Sequence, residues 1–271
     1  MQSFNWTYNE QNFSGITWHP EYFYEVIVIV HGIGEHVGRY EHLGHYFSDR
    51  GYAVIGIDHY GHGRSAGARG ASKGFEFYFD YLSAFLEHVK TLYNKPIILY
   101  GHSMGGGIVT GFLLKRQPHV KAAIISSPAL LIARKVNPVL HFILKCLNAI
   151  IPNFRVSQGL DVNKISHDKK VVEDFKNDKL NHDKMSITLA LGMIENGAWC
   201  LENADKLQVP SLLIHGDKDE FTDVRGSRFF AERAPKNLLL YKEWPGGYHE
   251  LHNEPFKEDV LYFIAEWLKT H

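Results

Sequence analysis

The stretch Tyr100-Gly101-His102-Ser103-Met104-Gly105-Gly106 constrains this chain more than any other. The apolar run Ile97-Ile98-Leu99-Tyr100 precedes it, and a helix-like stretch from Ile108 to Gln117 follows. Strand, Gly-x-Ser-x-Gly and helix together are the setting of a nucleophile elbow. A turn sharp enough to lift the serine clear of a sheet needs strained backbone at Ser103 and very close passage of strand and helix. Side chains two positions to either side would collide there, so sterics demand Gly101 and Gly105. The helix N-terminus then points backbone N–H groups at the place where negative charge would develop. The motif alone also arises by chance. Its meaning rests on whether an acid and a base follow it.

Read in order, the chain alternates strand and helix patterns. Residues 3–8 and 14–19 read as short strands. Tyr24 to Val30 is a nearly continuous β-branched run, as suits a strand buried on both faces of a parallel sheet. Residues 40–50 look helical, and Ala53 to Ile57 is a second buried strand. A helix is expected over Phe75 to Tyr93, and a strand over Val120 to Ile125. The alternation stops after Pro128. It resumes with strands at Val209 to Ile214 and Leu238 to Tyr241, each followed by a helical pattern, at Val224 to Ala234 and near 256–269. The fold class expected is α/β, a mostly parallel central sheet with helices on both faces. Residues 1–128 and 201–271 form two parts of one core, and residues 129–200 form a helical insertion without a convincing strand.

Within that insertion, residues 139–151 are apolar around most of a helix, with His141, Lys145 and Asn148 on one narrow stripe. Two readings stay open: a helix clamped between two layers, or a lid helix facing lipid or an acyl chain.

Net charge is −1 and no long basic run occurs, so nucleic acid is not an expected partner. No apolar run approaches the ~20 residues of a membrane span, and the N-terminus does not resemble a signal peptide. Cys146 and Cys200 lack metal-ligand spacing and read as free thiols in a reducing cytoplasm. No metal-ligand set is evident: His42 and His45 lack a third partner, and His249-Glu250-Leu251-His252 has the wrong spacing for the helical zinc motif. Gly61 to Ala66 matches a dinucleotide fingerprint in letters only, because no acidic residue closes a unit behind it. No cofactor is expected.

An acyl-transfer serine needs a base and an acid that orients the base. In an α/β sheet both sit on loops after later strands, in the order Ser, Asp, His. The loop after 209–214 offers Asp217, Asp219 and Asp223; Asp219 is taken as the acid, the others as turn or capping residues. The loop after 238–241 offers His249 as base, with His252 its nearest rival. The oxyanion donors expected are the N–H groups of Met104, next to the nucleophile, and Ile33, on the loop after His31-Gly32.

Four stretches carry a resemblance across nearly the whole chain: His31 to Tyr40, Asp58 to Ser65, Gly101 to Gly106 and Tyr248 to Glu254. Together they resemble the monoacylglycerol lipase group of serine α/β-hydrolases. The resemblance implies Ser103, Asp219 and His249 as the triad, with Ile33 and Met104 as oxyanion donors. It further implies that Glu35, Arg39 and His252 hold a glycerol group at the alcohol end of the pocket. It makes the insertion a mobile cap whose first helix meets membranes or micelles; the charged stretch Lys169–Lys179 departs from that pattern. The expected function is hydrolysis of monoacylglycerols or similar single-chain esters by a cytoplasmic enzyme peripheral to the membrane. A general carboxylesterase or lysophospholipase is the alternative within the class. A small-molecule receptor that keeps the triad is the alternative outside it.

Overall fold

Alternating β-branched residues build the centre of the molecule. A computed structural model describes residues 1–133 and 137–271. In chain order the strands are β1 (Gln2–Tyr8), β2 (Gln11–Trp18), β3 (Glu25–Val30), β4 (Tyr52–Ile57), β5 (Ile97–His102), β6 (Ala122–Ser126), β7 (Arg155–Ser157), β8 (Lys184–Ser186), β9 (Ser211–Gly216) and β10 (Leu239–Trp244). Eight of them form one sheet in the order β1-β2-β4-β3-β5-β6-β9-β10. From β4 to β10 all neighbours pair in parallel, and β2 runs antiparallel to both β1 and β4.

The helices are α1 (Glu41–Ser48), α2 (Phe75–Tyr93), α3 (Met104–Arg116), α4 (Pro138–Ile150), α5 (Lys169–Asn177), α6 (Ile187–Glu202), α7 (Val224–Arg233) and α8 (Lys257–Leu268). Successive residues of β3 point to opposite faces. Val26, Val28 and Val30 pack into a core with α2, α3 and α6, whereas Ile27 and Ile29 pack with α1 and α8. Every residue of β4, β5 and β9 is buried, which explains their unbroken apolar sequences.

The helix after the elbow begins at Met104, four residues before the sequence-based expectation. Gly105, Gly106 and Gly107 are poor helix formers and masked its start. Between β6 and β9 lie α4, α5 and α6, together with the antiparallel pair β7 and β8. That pair was not expected, because three-residue strands are too short to show alternation.

The stretch read as a helix over 139–151 is α4. Asn137 caps it by accepting a hydrogen bond from the Leu140 N–H, and Pro138 opens it. It is not clamped between layers. All 13 of its residues are exposed or half-buried. The narrow polar stripe faces the protein: Lys145 Nζ lies 3.1 Å from a Glu195 oxygen on α6, and Asn148 Oδ1 accepts from the Thr188 hydroxyl at 2.7 Å. The apolar side faces out, with Val139 67%, Phe142 66% and Ile150 77% exposed.

At the elbow, strand and helix touch. A Cβ on Gly101 would lie 2.6 Å from the Gly105 carbonyl oxygen. One on Gly105 would lie 2.5 Å from that of His31 and closer still to that of Val30. Gly105→Ala should therefore lower the melting temperature by roughly 5 °C or more, the size expected of a loss above ~3 kcal/mol in a chain of this length. Gly107→Ala, whose nearest neighbour would be the Ala129 carbonyl oxygen at 3.2 Å, should cost far less. Calorimetry on the two variants tests this; equal melting temperatures would mean the contact is not tight.

Candidate active site

The four loops of interest all leave the carboxyl ends of parallel strands, where α/β sheets place their ligands. The loop after β5 is the elbow. Ser103 adopts φ 56°, ψ −119°, a conformation that costs an L-residue energy. Its surroundings hold it there. Its N–H donates to the Ser126 carbonyl at 3.0 Å, and its own carbonyl accepts from Gly107 at 3.0 Å and Ala129 at 2.9 Å.

The Ser103 hydroxyl lies 2.9 Å from His249 Nε2. On the other side of the ring, His249 Nδ1 donates to Asp219 Oδ2 at 2.7 Å. Ser103, His249 and Asp219 thus form one hydrogen-bonded line across loops that are far apart in sequence. Burial pulls the His249 pKa down, but the charge and hydrogen bond of Asp219, with Glu250 and Glu35 nearby, outweigh it and raise the group above its ordinary value. Asp219 is held well below the usual carboxylate range: burial opposes ionisation, and His249 and His215 overcome it.

Sequence reading missed the groups that fix Asp219. Its Oδ2 also accepts from His215 Nε2 at 3.1 Å and from the Thr222 hydroxyl at 2.8 Å. Its Oδ1 accepts from the N–H of Phe221 at 2.7 Å and of Thr222 at 3.0 Å. His215 in turn has Nδ1 2.6 Å from the Ser227 hydroxyl. The other two aspartates of this loop point elsewhere. Asp217 accepts from the Gly246 N–H at 2.7 Å, and Asp223 caps α7 through the Arg225 N–H.

Met104 N–H opens α3, and Ile33 lies in the turn after β3. Among the described residues, neither N–H has an acceptor. Gly32, next to Ile33, passes close to the serine: a Cβ on it would lie 3.1 Å from the Ser103 Cβ.

Of the three residues expected at the alcohol end, Glu35 and Arg39 are occupied internally, whereas both ring nitrogens of His252 are buried without a hydrogen-bond partner among the described residues. Glu35 is 2% exposed. Its Oε1 accepts from the Gly32 N–H at 2.6 Å and the Tyr40 hydroxyl at 2.7 Å, and its Oε2 accepts from Arg39 at 2.6 Å. Arg39 forks onto Glu250 at 2.6 and 2.7 Å, and its guanidinium lies 4.6 Å from the Phe175 ring centroid on α5. Burial pushes the Glu35 carboxyl up, against the pull of Arg39. Glu250 falls below its ordinary value, because Arg39 more than offsets burial. His252, the rival base, is fully buried, stacked 4.9 Å from the Tyr40 ring and edge-on 4.8 Å from His102. Burial holds His252 well below the ordinary histidine range, so it is neutral.

The stretch Gly61 to Ala66 is a bracket in this structure. Asp58 accepts from the N–H groups of Arg64 and Val37, each at 2.8 Å, and so ties this loop to the one after β3. His31 Nε2 accepts from the His59 N–H at 2.8 Å, a bond only an unprotonated nitrogen can make.

The model of the family described as Hydrolase_4, serine aminopeptidase S33, matches residues 24–256. A Dictyostelium discoideum protein described as an uncharacterized abhydrolase domain-containing protein is 34% identical over 266 residues, 97% of this chain but 28% of that longer protein. A monoacylglycerol lipase of Mycolicibacterium smegmatis is 36% identical over 255 residues, covering 91% of this chain and 88% of the lipase. The crystal structure of the Paleococcus ferrophilus monoacylglycerol lipase is similar with a TM-score of 0.88 at 30% identity, over 96% of this chain and 99% of that one. The chain belongs to the serine aminopeptidase S33 family of α/β-hydrolases and is an ester hydrolase of the lipase and esterase class.

Proposed function

We propose that this enzyme hydrolyses monoacylglycerols, and single-chain esters like them, through an acyl-enzyme on Ser103. The observation that carries the chemistry is the line from Ser103 Oγ through His249 to Asp219, at 2.9 and 2.7 Å. Ser103 attacks the ester carbonyl as its proton passes to His249 Nε2. Asp219 accepts from Nδ1–H throughout, fixing the tautomer and stabilising the imidazolium. The N–H groups of Ile33 and Met104 receive the oxyanion. Collapse expels the alcohol, which takes the proton from His249. Water then attacks the acyl group by the same steps, releasing the fatty acid and restoring the serine.

The substrate class rests on two supports: the near full-length similarity to monoacylglycerol lipases and the outward apolar face of α4. We read residues 129–200 as a cap whose α4 lies in a lipid interface. No described helix is long and apolar enough to cross a membrane. An amphipathic helix can still lie in the headgroup region with its apolar face among acyl chains. Exposed apolar residues continue beyond α4 at Ile151, Phe154 and Val156, which widens the face.

Changing Val139 and Phe142 together to Ser should lower turnover of a long-chain monoacylglycerol in vesicles by roughly 10-fold, since each large side chain contributes at most ~1.5–3 kcal/mol on burial. Turnover of a short soluble ester should stay within about twofold, because the triad is untouched. Equal losses on both substrates would refute the interfacial reading, and a wild-type preference for short soluble esters over every monoacylglycerol would favour a general carboxylesterase.

The base works only when neutral, and its pKa is raised. As pH falls through that raised value, kcat/KM on a soluble ester should be lost, with a midpoint above the ordinary 6.5. Asp219→Asn removes the main stabilising charge. It should move the midpoint to lower pH and reduce kcat by roughly 10⁴-fold. A midpoint unmoved by Asp219→Asn would detach Asp219 from the base.

A further inference from the structure

Glu35 and Arg39 stand on the loop after β3, and Glu250 stands beside His249 on the loop after β10. The three side chains link those loops by charge-assisted hydrogen bonds. The chain of contacts runs from the Gly32 N–H to Glu35 Oε1 at 2.6 Å, from Glu35 Oε2 to Arg39 at 2.6 Å, and from Arg39 to both Glu250 oxygens at 2.6 and 2.7 Å. Gly32 immediately precedes Ile33. Glu250 immediately follows His249, and its Oε2 is also anchored by Asn253 at 2.7 Å. The whole set is buried, with side-chain exposures of 3%, 9% and 4% for Glu35, Arg39 and Glu250.

We propose that Glu35, Arg39 and Glu250 form a positioning clamp that holds the Ile33 N–H donor in register with the His249 base, rather than a set that binds the alcohol. This rests on the catalytic roles assigned above to Ser103, His249 and Ile33. Three features favour a clamp. Both Glu35 oxygens are taken by protein donors, one of them the backbone N–H next to Ile33. Arg39 spends its fork on two carboxylates from different loops, a bidentate geometry that fixes distance and angle together. Phe175 of α5 lies over the guanidinium, 4.6 Å from it, and fixes its plane by a cation–π contact. Every carboxylate oxygen of Glu35 and Glu250 has a protein donor, and the polar atoms left free for a ligand on these loops are the ring nitrogens of His252, outside the clamp.

The two roles separate by substrate. An alcohol-binding set matters only for glycerol esters. A clamp matters for any ester, because every ester needs the oxyanion donor and the base in register. The experiment compares Glu35→Gln and Arg39→Lys with wild type on 1-monobutyrin and on p-nitrophenyl butyrate. Rates are taken per active site titrated with a fluorophosphonate, so unfolded protein does not count. Glu35→Gln keeps the shape but turns an amide N–H₂ toward Arg39. Arg39→Lys keeps the charge but cannot bridge two carboxylates. Each should lower kcat by roughly 10²-fold. The factor should be the same on both esters, with KM within about threefold. Affinity for a butyl boronic acid, whose tetrahedral adduct places an oxygen in the oxyanion site, should fall in parallel. A loss confined to 1-monobutyrin, or unchanged kcat per titrated site on both esters, would overturn the clamp. If Glu35→Gln does not fold, Arg39→Lys decides alone. Absence of fluorophosphonate labelling at Ser103 in the wild type would instead sink the reading of the site itself.

Discussion

Everything at the carboxyl edge of this sheet depends on the close approach of β5 and α3 at Ser103. The backbone there turns through a positive φ of 56° that a serine adopts only under constraint. The constraint is packing, since glycine two positions to either side lets the helix start against the carbonyls of Val30 and His31. The same geometry sets the serine forward and places the first N–H of α3 beside it. Neither a bulkier residue at Gly105 nor a relaxed Ser103 is compatible with both features.

Around that fixed point the site is organised by buried charge. Asp219 is ionised despite burial because five donors converge on its two oxygens. A carboxylate so held can stabilise an imidazolium without reorganising during the reaction. A second buried group, Glu35 with Arg39 and Glu250, lies on the other side of the base. Buried ion pairs are poor sources of net stability, because desolvation cancels most of the attraction. Their retention here fits a role in geometry, joining two loops that the Tyr40–His252 ring stack also links. The segment after β6 reinforces this from above: Phe175 covers Arg39, and the His182 N–H donates to the Gly34 carbonyl at 2.9 Å.

Much of this was legible in the sequence, for identifiable reasons. Strands buried on both faces read as unbroken apolar runs, so β3, β4, β5 and β9 stood out. The chain order of serine, acid and base narrowed seventeen histidines to the one that lies 2.9 Å from Ser103 Oγ. What the sequence hid was direction. Periodicity located the polar stripe His141, Lys145 and Asn148 but could not say which way it faced; Glu195 and Thr188 on α6 turn it inward, leaving the apolar side to solvent. Glu35, Arg39 and His252 were placed by resemblance at the alcohol end. Arg39 pairs with Glu250 and His252 packs on His102, partners from distant segments that carry no local signal; Tyr40, the partner of Glu35, is close in sequence, but no spacing rule marks the pair. His215 and Thr222 share the acid's loop, but no spacing rule marks them as its supports.

The proposed mechanism is covalent: in it the acyl group passes through Ser103. Rapid-quench mass spectrometry during turnover of a monoacylglycerol, with acid quench and peptide mapping, tests it most directly. The peptide carrying Ser103 should gain the mass of one fatty acid less one water within the first turnover, and lose it once substrate is exhausted. Fatty acid released at the full rate with that peptide unmodified throughout, or an acyl group on a different residue, would contradict it.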